Sequence, residues 1–221
     1  MKLLAEALLK FTCGLLLVGL LIFLPAGTFC YSYGWLFVGL LFAPMLIAGF
    51  VMMAKSPEFL KKRLDAKEKQ GTQKGVVAAS GLMFVVGFVV AGLDFRFGWS
   101  HMPLWVVMIA SVLFLMAYAL YAEVMRENAY LSRTIRVEQG QTVVDTGLYG
   151  IVRHPMYAVT ILLFLMIPLV LGSWYALIAF AFYPAVIIVR LKDEEELLTR
   201  ELPGYEAYKK KVKYRLIPFI W

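Results

Sequence analysis

Two polar stretches in the C-terminal half hold the residue types that do chemistry. The first, from Thr134 to Tyr157, closes with Gly147-Leu148-Tyr149-Gly150-Ile151-Val152-Arg153-His154-Pro155-Met156-Tyr157. Proline suits the first turn of a helix, so Arg153 and His154 stand at a helix N-terminus. The second opens with Arg190-Leu191-Lys192-Asp193-Glu194-Glu195-Glu196, where an apolar run ends. Arg190 and Glu194 are four residues apart and share one helical face, whereas Glu195 points about 100° away from Glu194. The planar fork of an arginine is suited to holding a carboxylate where water is scarce. A nearby glutamate is a candidate general base. Plainer readings stand beside these. Arg153 can snorkel to phosphates, and Arg190 with Glu194 can be a surface pair of roughly 0.3–0.5 kcal/mol. Asp193 and Glu196 read as a solvated face, and Tyr205 and Tyr208 as either an interfacial aromatic belt or ligand contacts.

The elements that must position these residues are set by composition. Of 221 residues 62% are apolar and 17% charged, and the mean hydropathy is +0.76. An ordinary soluble domain is about 45–50% apolar and about 25% charged, so a soluble globular protein is excluded. Uncharged runs over 11–54, 75–93, 103–122 and 155–189 supply six hydrophobic segments, each to be compared with the roughly 20 residues a helix needs to cross a bilayer. The first run breaks near Pro25 to Gly34 into two spans. The last breaks at Gly172-Ser173 into two arms of about 16 residues, short for a full crossing at ~1.5 Å per residue. The fold class expected is all-α: a polytopic integral membrane protein with five or six crossings. Gly71-Thr72-Gln73-Lys74-Gly75 has GxxxG spacing but falls in a polar loop, and Lys209 to Lys213 belong to an interfacial amphipathic tail.

With six crossings, the N-terminal end and the loops 54–74, 123–155 and 190–221 fall on one side and hold 21 of the 22 basic residues. Lys and Arg are retained in the cytoplasm during insertion, which places both termini and the chemistry-bearing stretches there. The net charge of +7 then reflects this bias and attraction to anionic headgroups, not nucleic acid. Cys13 and Cys30 are ~25 Å apart along a helix, too far for a bridge. His101 and His154 lie on opposite faces, so no metal site is expected.

The ordered motifs, Gly147 to Tyr157, then Arg190-x-x-x-Glu194-Glu195, then Pro203-Gly204-Tyr205-x-x-Tyr208 and Arg215-Leu216-Ile217-Pro218, resemble the isoprenylcysteine carboxyl methyltransferase family, within the wider group of membrane phospholipid methyltransferases. The resemblance covers roughly 130–221, with weaker support from Leu93 to Ser100. It implies methyl transfer from S-adenosylmethionine bound without a dinucleotide fold in a cytoplasm-facing C-terminal pocket. It also implies a division into N-terminal spans (1–125) and a methyltransferase core (126–221). Carried over by position, cofactor contacts fall on Gln141, Thr142, Val143, Val144, Tyr149, His154, Pro155, Met156, Tyr157 and Glu194. The substrate-binding arginine falls on Arg190, with Glu195 its catalytic companion. The implied partners are the bilayer and a lipophilic acceptor, most directly an isoprenylcysteine-like carboxylate. Alternatives are a phospholipid amine, for which Glu194 or Glu195 is the base, an NADPH-dependent membrane sterol reductase with similar C-terminal motifs, and a non-catalytic scaffold or transporter.

Overall fold

The computed structural model describes residues 2–64, 71–131 and 137–221. The extended loop expected from Thr134 onward and the basic loop 54–74 therefore lie partly outside the described residues, at 132–136 and 65–70. The described residues form α1 (Lys2–Ala26), α2 (Ser32–Lys55), α3 (Pro57–Leu64), α4 (Gly71–Phe97), α5 (Leu104–Glu127), α6 (Pro155–Val170), α7 (Trp174–Phe180), α8 (Tyr183–Glu201) and α9 (Tyr205–Lys211), with one 3-10 turn over Gly147–Gly150 and no strand among them.

Five stretches are long and apolar enough to cross a membrane: Lys2–Ala26, Ser32–Lys55, Gln73–Phe97, Leu104–Glu127 and Trp174–Glu201. The shorter apolar helix α6 has 16 residues, ~24 Å at the standard helical rise against a hydrocarbon layer of about 30 Å. The all-α, six-segment architecture read from composition is the one observed. Its outer surface is greasy where a soluble protein's would be polar: Leu9, Leu16 and Leu24 are 64%, 66% and 69% exposed on α1. The molecule is an integral membrane protein because only lipid accommodates such a face.

The helix limits correct the sequence reading at three places. Gly71 to Gly75 is not a polar loop but the opening of α4, where Gln73 is fully buried. Ionic residues do not end the last span at Val189. Helix-favouring Leu, Lys, Glu and Arg carry α8 to Glu201. The final span is also divided, with caps at Ala181 and Phe182 between α7 and α8 and Pro184 in the first turn of α8, where a proline costs no helical bond.

Packing ties the two halves together. A Cβ on Gly92 would stand 2.5 Å from the Ile22 carbonyl oxygen, so α1 and α4 approach backbone to backbone as small residues allow in membranes. Phe37, Phe88, Phe114 and Phe180 fill the core between α2, α4, α5 and α7. At the end of the bundle carrying Arg96, the buried Asp94 carboxylate accepts from the Ser100 amide and hydroxyl, both at 2.6 Å, and from the Ser173 hydroxyl. The Tyr31 hydroxyl donates to the Leu171 carbonyl nearby. These bonds pin the α6–α7 turn to α2 and α4, leaving the opposite end to build the site.

Candidate active site

Glu195 is the hub of the frame. Its side chain is 6% exposed, and Oε1 accepts from Arg153 Nε at 2.6 Å and lies 3.2 Å from His154 Nε2, while Oε2 accepts from Arg215 Nε at 2.9 Å. Arg153 Nη1 also donates to the Val212 and Lys213 carbonyls at 2.9 and 2.8 Å. The backbone amides of Arg153 and His154 donate to the carbonyls of Tyr214 and Arg215, each at 2.9 Å. Arg215 in turn lies over the Trp221 ring. The Arg-His-Pro segment, α8 and the C-terminal tail are thus one latch. Arg153 is a buried strut, only 7% exposed, and not a membrane-edge residue reaching for phosphates. A buried carboxylate needs such partners, because removing them leaves an uncompensated charge.

The loop before α6 is held as firmly. Both oxygens of Glu127 accept from the Leu148 amide, at 3.1 and 2.9 Å. Gly147 has φ +52, and a Cβ there would overlap the Glu127 carboxylate, so only glycine fits. Gln141 Oε1 accepts from the Glu138 amide at 2.9 Å, closing a turn. Tyr208 donates to the Tyr149 carbonyl at 2.7 Å, and Lys211 pairs with Asp145 at 2.6 Å. Val143 packs on Leu202, Tyr205, Tyr208 and Val212.

These elements enclose a cavity of about 490 Å³, within the range of small-molecule sites. Gln141, Thr142, Val143, Val144, Tyr149, His154, Met156, Tyr157, Arg190 and Glu194 line it. Pro155 is the buried first residue of α6 and Glu195 stands in the latch; neither is among the lining residues. The lining divides by chemistry: loop and α9 residues make a polar, aromatic wall, while Val76, Val77 and Phe84 of α4, Phe164 of α6 and Ile187 of α8 make an apolar one. Between them the Tyr157 hydroxyl accepts from Arg190 Nε at 3.0 Å and donates to Glu194 Oε2. The face that Arg190 and Glu194 share therefore looks into the cavity, bridged by a tyrosine from α6. The His154 and Tyr157 rings stack at 5.7 Å between centroids.

Sequence reasoning missed several contributors. Arg63 of α3, whose guanidinium donates to the Tyr121 hydroxyl, and Asn128 at the end of α5 both line the cavity. Gln73 and Asp193 are joined by a 2.7 Å hydrogen bond, so Asp193 is not a plain solvated residue. Nothing local in the sequence marks these, since each meets the site through a distant element. Tyr205 and Tyr208 lie on the cavity wall, 3% and 5% exposed, and are not an interfacial belt. Burial pushes both phenols well up from their ordinary value, against which the Arg153 charge is a smaller opposing influence. Both hydroxyls therefore remain donors, and Tyr208 uses its own. The Tyr205 hydroxyl is buried with no hydrogen-bond partner among the described residues. An orphaned buried hydroxyl on a cavity wall costs stability unless a ligand meets it.

A model of the Isoprenylcysteine carboxyl methyltransferase (ICMT) family matches residues 105–200. Among curated relatives, an uncharacterized protein of Bacillus subtilis (strain 168), YpbQ, is 33% identical over 95 residues, 42% of this chain and 56% of that protein. The Delta(14)-sterol reductase TM7SF2 of Mus musculus is 30% identical over 91 residues, 40% of this chain and 22% of that protein. The matched segments thus span about half of the first relative and less than a quarter of the second. From α5 through the Arg-His-Pro segment to the acidic part of α8, residues 105–200 carry the sequence signature of the isoprenylcysteine carboxyl methyltransferase family.

Proposed function

We propose that this protein is a membrane methyltransferase that takes its methyl group from S-adenosylmethionine and delivers it to the carboxylate of a lipophilic, isoprenylcysteine-like acceptor. The observation that carries this reading is the pairing of Arg190 and Glu194 through the Tyr157 hydroxyl, on the wall between the polar and apolar sides of one cavity. The residues fit the cofactor. Tyr149 and Tyr208 offer aromatic faces and Glu194 an anion for a cation bearing an adenine and an amino-acid tail. The Tyr205 hydroxyl, without a partner among the described residues, offers a donor. When bound, S-adenosylmethionine supplies an electrophilic methyl group on a sulfonium centre.

The chain's own residues then bind and orient. Loop residues Gln141 to Val144 cover the donor side. Arg190 holds the acceptor carboxylate, which is ionised at neutral pH and needs no base. Val76, Phe84 and Phe164 receive the apolar tail and exclude water, and Pro155 fixes the start of α6 so that Met156 and Tyr157 face the cavity. In-line transfer between two held reactants gains mostly from positioning. Glu195 acts here as a positioning residue: it fixes Arg153 and His154 and leaves the cavity to Glu194. The basic-residue bias puts this end of the bundle in the cytoplasm, with spans 1–125 supporting acceptor selection and 126–221 the donor site.

The match to a sterol reductase over 91 residues favours one second reading, a cavity for NADPH. Incubation of purified protein with methyl-deuterated S-adenosylmethionine and N-acetyl-S-farnesylcysteine tests the proposal. A deuterated methyl ester is expected by mass spectrometry. Label recovered only on phosphatidylethanolamine supplied in parallel would replace the carboxylate acceptor with an amine.

A further inference from the structure

Gln73 lies in the Gly71–Gly75 stretch, which has no chemical role assigned from sequence, yet its amide is fully buried, at 0% exposure near the start of α4. Its Oε1 accepts from Arg190 Nη1 at 3.2 Å and its Nε2 donates to Asp193 Oδ2 at 2.7 Å. One side chain from the N-terminal half therefore meets a cation with its oxygen and an acid with its nitrogen, both on α8 and both more than a hundred residues away in sequence. A primary amide is the neutral group with an acceptor and a donor to satisfy both at once. Burial without them would be costly.

The consequence lies in Arg190. Its Nε donates to the Tyr157 hydroxyl at 3.0 Å and its Nη1 to Gln73, so α6 and α4 each aim the guanidinium with a neutral oxygen. These two acceptors are neutral, and together they orient the plane of the fork. A carboxylate in the Gln73 position would both compete for the guanidinium charge and face Asp193. A leucine would leave the plane of the fork unset on the α4 side.

We propose that Gln73 is a positioning residue that sets the acceptor preference of the site, aiming Arg190 at an anionic head group and coupling that choice to α4, whose Val76 and Phe84 line the apolar wall. This inference rests on the acceptor reading given above. It concerns discrimination between a carboxylate and its neutral isostere, which cofactor binding alone does not report.

The test uses full-length protein in detergent and three probes: N-acetyl-S-farnesylcysteine, its carboxamide and S-adenosylhomocysteine. Wild-type protein is expected to bind the acid about tenfold or more tightly than the amide, the value of one charge-assisted hydrogen bond. Gln73→Leu and the near-isosteric Gln73→Glu are each expected to bring that ratio close to unity, with carboxamide and S-adenosylhomocysteine dissociation constants held within about twofold. A variant that binds S-adenosylhomocysteine normally and keeps the acid preference overturns the proposal. Loss of S-adenosylhomocysteine binding in both variants overturns it too, by making Gln73 a structural residue. A wild-type ratio of one would instead overturn the acceptor reading, and this proposal with it.

Discussion

Arg190 and Tyr205 both line the cavity, and their substitutions are expected to separate the two ligands. Arg190→Ala removes the cation proposed to hold the acceptor. Turnover is expected to fall at least about 30-fold, from a loss of ~2 kcal/mol or more when one partner of a charged contact is truncated. The S-adenosylhomocysteine dissociation constant should stay nearly unchanged in calorimetry, because Tyr149, Tyr205 and Tyr208 are retained. Tyr205→Phe has an opposite signature on two readouts. It deletes a buried hydroxyl with no partner among the described residues, so the ligand-free protein should melt at the same or a higher temperature, while S-adenosylhomocysteine binds about tenfold more weakly. Unchanged affinity would show that the hydroxyl does not meet the cofactor. Residue identity was legible where spacing decides it: the four-residue interval of Arg190 and Glu194 placed them on one face. The role of Glu195 was not, because its partners Arg153, His154 and Arg215 lie 42, 41 and 20 residues away. The roles of Tyr205 and Tyr208 were equally hidden, since only the return of α9 beneath the 141–149 loop buries them.

Among elements, the latch of α8, the Arg-His-Pro segment and the C-terminal tail is the part whose strength is most directly measurable. Glu195→Ala strands the buried Arg153 side chain, 6% exposed, and is expected to cost about 3–5 kcal/mol, read as a large fall in melting temperature. Glu195→Gln still accepts hydrogen bonds and should cost less. If Glu195 were itself the reacting base, Gln would be as inactive as Ala while remaining stable; as a positioning residue, activity should follow stability across the two variants. Helix existence was written in the uncharged runs. Helix ends were not, because they depend on groups that the local pattern cannot see: Gln73 makes the start of α4 buried, and Leu197 packs inward among charged neighbours to prolong α8. The break between α7 and α8 has a visible proline at 184, yet an apolar run reads through it.

For the whole molecule, lipid is the solvent that the composition demands, and the segregation of 21 of 22 basic residues predicts which end faces the cytoplasm. In sealed inside-in vesicles, with Cys13 and Cys30 replaced, a membrane-impermeant maleimide should label His101→Cys from outside and spare Lys210→Cys until the vesicles are opened. Both parent residues are exposed, so accessibility reports sidedness. The opposite pattern would invert the protein and put the cavity outside the reach of cytoplasmic cofactor. The number of segments and their class were readable from charge and hydropathy alone. The cavity was not, because α4, α6, α8 and α9 contribute to its walls from four separated stretches.

The most direct measurement is calorimetric titration of the purified full-length protein with S-adenosylhomocysteine and, separately, with NADPH. One S-adenosylhomocysteine should bind per chain, more weakly to Tyr205→Phe, with no heat from NADPH. Saturable binding of NADPH without S-adenosylhomocysteine, or of neither, would contradict the assignment of this cavity to a sulfonium cofactor.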